Sequence, residues 1–208
     1  MPRTKAPLIE LIIAVFGAFA ALFGITLFNR YLLMTLPLGW RMVLMVVSQW
    51  SLFLVPGLLM WQGKESVRGL GFSKENIPQQ LLIGLLLAFL LSMVLTGLPI
   101  LFGLGGFFGN AYTQAWQFAY EFFYMIVGVA LAEELVFRGY LFHKLLEIRP
   151  SRWFAIAVSS VLFGLFHIFH GSLLQVVMTA LLGFLYCILR EKVKGCTLLS
   201  LIIAHGAY

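Results

Sequence analysis

Ala130-Leu131-Ala132-Glu133-Glu134-Leu135-Val136-Phe137-Arg138 sets two adjacent carboxylates and a guanidinium inside an otherwise apolar run. An ionisable group at membrane depth costs at least about 2.5 to 3.5 kcal/mol, so three of them within six residues call for partners or a function. The chain around them is apolar throughout. Of its 208 residues, 62% are hydrophobic and 11% charged, with a mean hydropathy of +0.99. Soluble proteins hold roughly 45 to 50% apolar and 25% charged residues. The sequence therefore reads as an all-α, polytopic transmembrane helical bundle. It is expected to form a single integral-membrane domain over residues 1–208, with no room for a separate soluble domain.

Working outward, the motif helix begins near Trp116 and turns at Pro150 and Ser151. Before it lie three apolar runs, about Leu8 to Phe28, Met42 to Trp61 and Gln80 to Phe102. The first is too long for a signal-peptide core and reads as a retained anchor. Gln62 to Gln79 is a polar loop, and Gly103 to Gln114, with four glycines and no charge, a flexible connection. After Pro150 come Trp153 to Phe169, Leu173 to Leu189 and the short run Thr197 to Ala207. The expectation is six full spans plus a short C-terminal seventh.

The Lys and Arg residues sort by loop. With a cytoplasmic N-terminus, twelve of the fourteen fall on the inner side, and Arg30 and Arg41 alone fall outside. The net charge of +6 thus reports topology in a multi-pass cell membrane protein, with a prokaryotic plasma membrane the favoured location, rather than a nucleic-acid surface. The partners expected are membrane lipids. Cys187 and Cys196 fit neither a disulfide framework nor a zinc-ribbon spacing and read as ordinary helix-bundle residues.

Arg138 stands four residues after Glu134, the spacing of a same-face ion pair, while Glu133 is rotated about 100° away. Glu134 and Arg138 thus read as a self-compensating pair that leaves Glu133 available. Glu133 lies 17 residues before Pro150 and His167 lies 17 after it. In a helical hairpin rising 1.5 Å per residue, both sit about 25 Å from the turn. Phe163 precedes His167 by four residues, and His205 approaches from the last run. Taken singly, Glu134 with Arg138 is a buried structural pair and His167 a hydrogen-bonded bundle histidine. His143 and His170 read as interfacial, and Glu10 and Glu121, near helix ends, as reaching headgroups or water. Co-location at one depth favours chemistry.

A glutamate and a histidine facing a watery cavity activate water, and peptide hydrolysis is the natural reaction. Alternatively, Glu133, His167 and His205 supply two imidazoles and a carboxylate for Zn²⁺. Aspartyl catalysis needs two aspartates and the sequence has none; His-Glu-x-x-His and a Gly-x-Ser-x-Gly-like nucleophile are also absent.

Glu133-Glu134-x-x-x-Arg138, Phe163-x-x-x-His167 and a late His205 resemble, in order and membrane context, the motifs of the CPBP family. These are the CAAX proteases and bacteriocin-processing enzymes, also called Abi proteins. The similarity runs from about Glu121 to the end of the chain, within a motif-bearing core of about 114–208. It implies a helical bundle with a cavity open to the cytosol and a glutamate-dependent endopeptidase similar to type II CAAX prenyl endopeptidases, with no cofactor favoured and Zn²⁺ the alternative. By that resemblance Glu133 and His167 activate water, Glu134 and Arg138 support the site, and His205 helps stabilise the oxyanion. The substrate implied is a membrane-associated peptide, lipidated or plain. The family's last motif is His-x-x-x-Asn or Asp, and Tyr208 ends the chain one position short of it. With the short seventh run, this leads to the expectation of truncation or an unusual C-terminus. The alternative function is a non-catalytic immunity or regulatory protein that keeps the protease fold.

Overall fold

The computed structural model describes residues 6–104, 112–169 and 172–208. Among these there are helices and turns but no strand, as the continuous apolar runs require. We number the helices α1 (Ala6–Tyr31), α2 (Leu38–Gly63), α3 (Ile77–Gly103), α4 (115–148), α5 (Arg152–Phe166), α6 (Leu173–Lys192) and α7 (Leu198–Ala207).

Local chemistry sets their ends and irregularities. Pro56 has no N–H for the carbonyl four residues earlier, and α2 tightens to a 3₁₀ turn at Ser51–Phe53 just ahead of it. Pro99 likewise follows a π-wound turn at Met93–Gly97 in α3. Gln114 and Gln117 form a capping box that opens α4, and Arg149, extended before Pro150, closes it. Ser151, Ser172 and Thr197 cap α5, α6 and α7.

Five described helices are long and apolar enough to cross a membrane: α1, α2, α3, α5 with its following turn, and α6. Beside the six full spans expected, five described helices meet this measure, and α7 is the short apolar helix foreseen. The missing one is α4, whose Glu121, Glu133, Glu134 and Arg138 dilute the run that the sequence reading treated as a span. Its surroundings explain how it tolerates them. α4 is enclosed by α1, α2, α5 and α7, and from Ala132 to Phe142 every residue but Leu135 is buried. The apolar side chains of the outer helices, Leu82, Phe89, Val161 and Leu173 among them, point outward. An apolar exterior around an ionic centre is the arrangement expected of a lipid-embedded bundle.

The cysteines are free and buried, as expected. His170, Arg3, Lys5 and much of the Gly103–Gln114 connection lie outside the described residues. Glu10 departs from expectation. Its carboxylate reaches inward to Nζ of Lys144 at 2.7 Å, and Lys144, counted above as an inner-loop charge, is buried.

Candidate active site

α4 does not run as a regular α-helix through its motif. Residues Tyr124–Ala130 and Leu135–Leu141 are π-wound, and only Leu131–Glu134, which carries both glutamates, is α-helical between them. Extended π-winding is rare and is found mostly at functional sites. Its carbonyls are bonded from outside the helix. The Trp50 indole donates to the Val127 carbonyl at 2.8 Å, the Ser159 hydroxyl to the Phe137 carbonyl at 2.8 Å, and the Arg190 guanidinium to the Arg138 carbonyl. Helices α2, α5 and α6 thus each hold one turn of α4. The depth argument built on a uniform 1.5 Å rise does not carry over to such a helix.

The pair read from the i+4 spacing is present. Arg138 Nη1 donates to Glu134 Oε1 at 2.9 Å, and both residues are fully buried. Its guanidinium carbon stands 3.9 Å from the centre of the Phe163 ring, a contact worth about 2 kcal/mol when desolvated. The same ring lies 4.9 Å from the His167 ring and 6.1 Å, edge-on, from that of His205. Phe163 is therefore the platform on which arginine and both histidines rest.

His205 lies between the two glutamates: its Nε2 stands 3.8 Å from Glu133 Oε2, the residue the sequence reading brought it towards, and its Nδ1 bonds Glu134 Oε1 at 2.9 Å, a contact the reading did not include. A carboxylate only accepts, so Nδ1 carries the proton and Nε2 is the nitrogen that faces Glu133. Glu134 Oε1 is shared between Arg138 and His205. The pair is a triad.

Glu133 is 6% exposed, and its Oε2 has no hydrogen-bond partner. Among the described ion pairs it meets His205 and not His167. His167 is half-buried, and its Nδ1 donates to the Phe163 carbonyl at 2.9 Å, which leaves Nε2 as the free lone pair. Glu133, His167 and His205 are not gathered as a metal donor set: among the described residues no three His, Cys, Asp or Glu are arranged to hold an ion.

Several contributing residues had no signal in the sequence. Tyr186, fully buried, stacks on His205 with ring centres 5.6 Å apart and fixes the plane of that imidazole. Ser159 and Arg190 act on backbone carbonyls, which no side-chain motif records. Gly206 follows His205 where α7 crosses α4, and a Cβ there would lie 2.5 Å from the Ile126 Cα, so only glycine lets the histidine come this close.

Residues 114–208 match the model of the family described as Type II CAAX prenyl endopeptidase Rce1-like. No curated protein and no solved structure matched the chain. The matched stretch contains the Glu134–Arg138–His205 triad, Glu133 with its Oε2 free of hydrogen bonds, and Phe163 with His167, and over these residues the chain is similar to the CAAX-protease-like CPBP family.

Proposed function

We propose that this protein is an intramembrane endopeptidase that hydrolyses a membrane-associated peptide, prenylated or otherwise tethered, with water activated by Glu133 and His167. The observation that carries the reading is the division between the two glutamates. Glu134 is held by Arg138 and His205 at 2.9 Å each, whereas Glu133 beside it keeps a buried oxygen without a hydrogen-bond partner. Glu134 spends Oε1 on Arg138 and His205, whereas Glu133 keeps an oxygen free to accept a hydrogen bond from water.

In this mechanism a water between Glu133 and His167 gives its proton to one of them, and its oxygen attacks the scissile carbonyl carbon. His205, anchored through Nδ1 on Glu134, presents Nε2 to the same space and, when protonated, donates to the oxyanion. The C–N bond then breaks as the proton passes to the leaving nitrogen, and a carboxylate and an amine are released. Arg138 offsets the charge of Glu134, on which His205 is anchored.

The test is turnover of a membrane-tethered fluorogenic peptide by the purified protein. His167→Ala and His205→Ala are each expected to lower kcat by about 10² to 10⁴. Unchanged turnover in His167→Ala contradicts the assignment, and unchanged biological activity in an inactive variant favours a non-catalytic regulatory protein. Chelator treatment with metal analysis tests the protein-only mechanism: turnover that survives complete metal removal fits it, and turnover lost with the metal and restored on its return contradicts it.

A further inference from the structure

Away from the glutamates, a cavity of about 470 Å³ opens where α1 turns into α2 and the first turns of α4 pack against both. That volume lies in the range of roughly 300 to 1,000 Å³ typical of ligand pockets. Met42, Met45, Trp116 and Tyr120 line it, and Leu38 at its rim is exposed towards the surroundings of the bundle. Methionines adapt to irregular apolar chains, and tryptophan and tyrosine favour the membrane interface.

Two polar groups in this wall lack partners. Nε of Arg41 is buried without a hydrogen bond, its Nη1 reaches only the Met34 sulfur at 3.8 Å, and Arg41 forms no ion pair among the described residues. Oδ1 of Asn29 is likewise buried and unpartnered. A guanidinium next to lipid without a counter-ion is costly, and a buried unpaired polar atom costs about 1–3 kcal/mol. The missing complement is therefore an anionic acceptor for Arg41 beside a donor for Asn29. Glu121, also in the wall, accepts from the Tyr112 hydroxyl at 2.8 Å and adds negative charge on the donor's side.

We infer that this cavity binds a membrane phospholipid whose head combines a phosphate with an ammonium donor, as in phosphatidylethanolamine. The phosphate pairs with Arg41, the ammonium lies between Asn29 and Glu121, and an acyl chain runs over Met42 and Met45 past Leu38 into the bilayer. Three apolar or aromatic elements meet here, α1, α2 and α4, so the bound lipid also ties the start of the motif helix to the first two spans. Choline has the same phosphate and charge but no donor, which makes it the discriminating comparison. A free headgroup lacks the chain that the apolar wall accommodates.

Native mass spectrometry of the delipidated protein tests this with phosphatidylethanolamine, phosphatidylcholine of identical chains, and glycerophosphoethanolamine. The expected result is retention of phosphatidylethanolamine about tenfold better than of phosphatidylcholine, with little retention of the chain-free headgroup. Arg41→Met should lower phosphatidylethanolamine retention about tenfold or more, and Asn29→Leu should abolish the preference over choline. Equal retention of the two lipids, full retention by Arg41→Met, or equally good binding of the free headgroup overturns the inference. Should Arg41→Met fail to fold, the Asn29→Leu comparison decides alone.

Discussion

Glu133 and Glu134 are adjacent and chemically identical, yet their environments assign them opposite work. Glu134 accepts from Arg138 and His205 and has no exposure; it is part of the scaffold. Breaking a buried ion pair from one side costs about 3–5 kcal/mol because the other charge is left unpaired. Glu134→Gln is therefore expected to lower the melting temperature markedly and to abolish turnover, whereas Glu133→Gln should leave the melting temperature near that of the wild type while lowering kcat by at least about 10². Thermal unfolding in detergent, run beside the peptide assay, checks both. Equal destabilisation by the two variants would contradict the division. The i+4 spacing made the Glu134–Arg138 pair legible in the sequence, because it is fixed by helix geometry alone. The role of His205 was not: its choice of Glu134 over Glu133 depends on how α7 crosses α4, which no local spacing encodes.

At the scale of elements, the decisive feature is the π-winding of α4 on both sides of its glutamates. Apolar periodicity gives a helix but not its winding, so the sequence located α4 and missed its geometry. What holds the second π segment comes from α5 and α6, through Ser159 and Arg190. Arg190 in turn requires Gly71. A Cβ there would lie 1.9 Å from its guanidinium, and the backbone of Gly71 has φ +100°, a conformation that disfavours any side chain. The Gly71 carbonyl also accepts from Leu198 N at 3.1 Å, so one loop residue joins α6 to the start of α7. Gly71→Ala is expected to speed amide hydrogen exchange across residues 135–145 and around Leu198, and to reduce kcat with little change in KM. Ser159→Ala should speed exchange in the same 135–145 segment but leave Leu198 unaffected. Exchange measured by mass spectrometry distinguishes the two; identical patterns would contradict the separate routes.

For the whole molecule, charges sort into an ionic centre, a second cluster at one end of α4, and an apolar exterior. The second cluster is organised by Lys144, which is 2% exposed and bonds Glu10, Glu65 and Glu147, the last at 3.3 Å. It ties α1, the segment after α2 and the end of α4 into one unit. These partners lie far apart in the chain, so a reading that counted Lys144 as a loop charge had the sign and not the position. Lys144→Met leaves three carboxylates facing one another. It is expected to destabilise towards the lower end of about 3–5 kcal/mol, since its partners keep some water. Glu147→Gln, at a more exposed position, should cost about 0–1 kcal/mol. Unfolding midpoints that fail to separate the two would contradict a buried hub.

The composition made the multi-pass helical bundle legible, and the motif order made the similarity to the CAAX-protease-like family legible; the chemistry rests on which glutamate is left free. The most direct test reconstitutes the protein in vesicles with a membrane-tethered peptide in H₂¹⁸O and reads the products by mass spectrometry. The account predicts two fragments from the wild type, with one ¹⁸O in the new carboxyl group of the N-terminal fragment, and none above background from Glu133→Gln. Intact peptide with the folded wild type, or equal cleavage by Glu133→Gln, would contradict it.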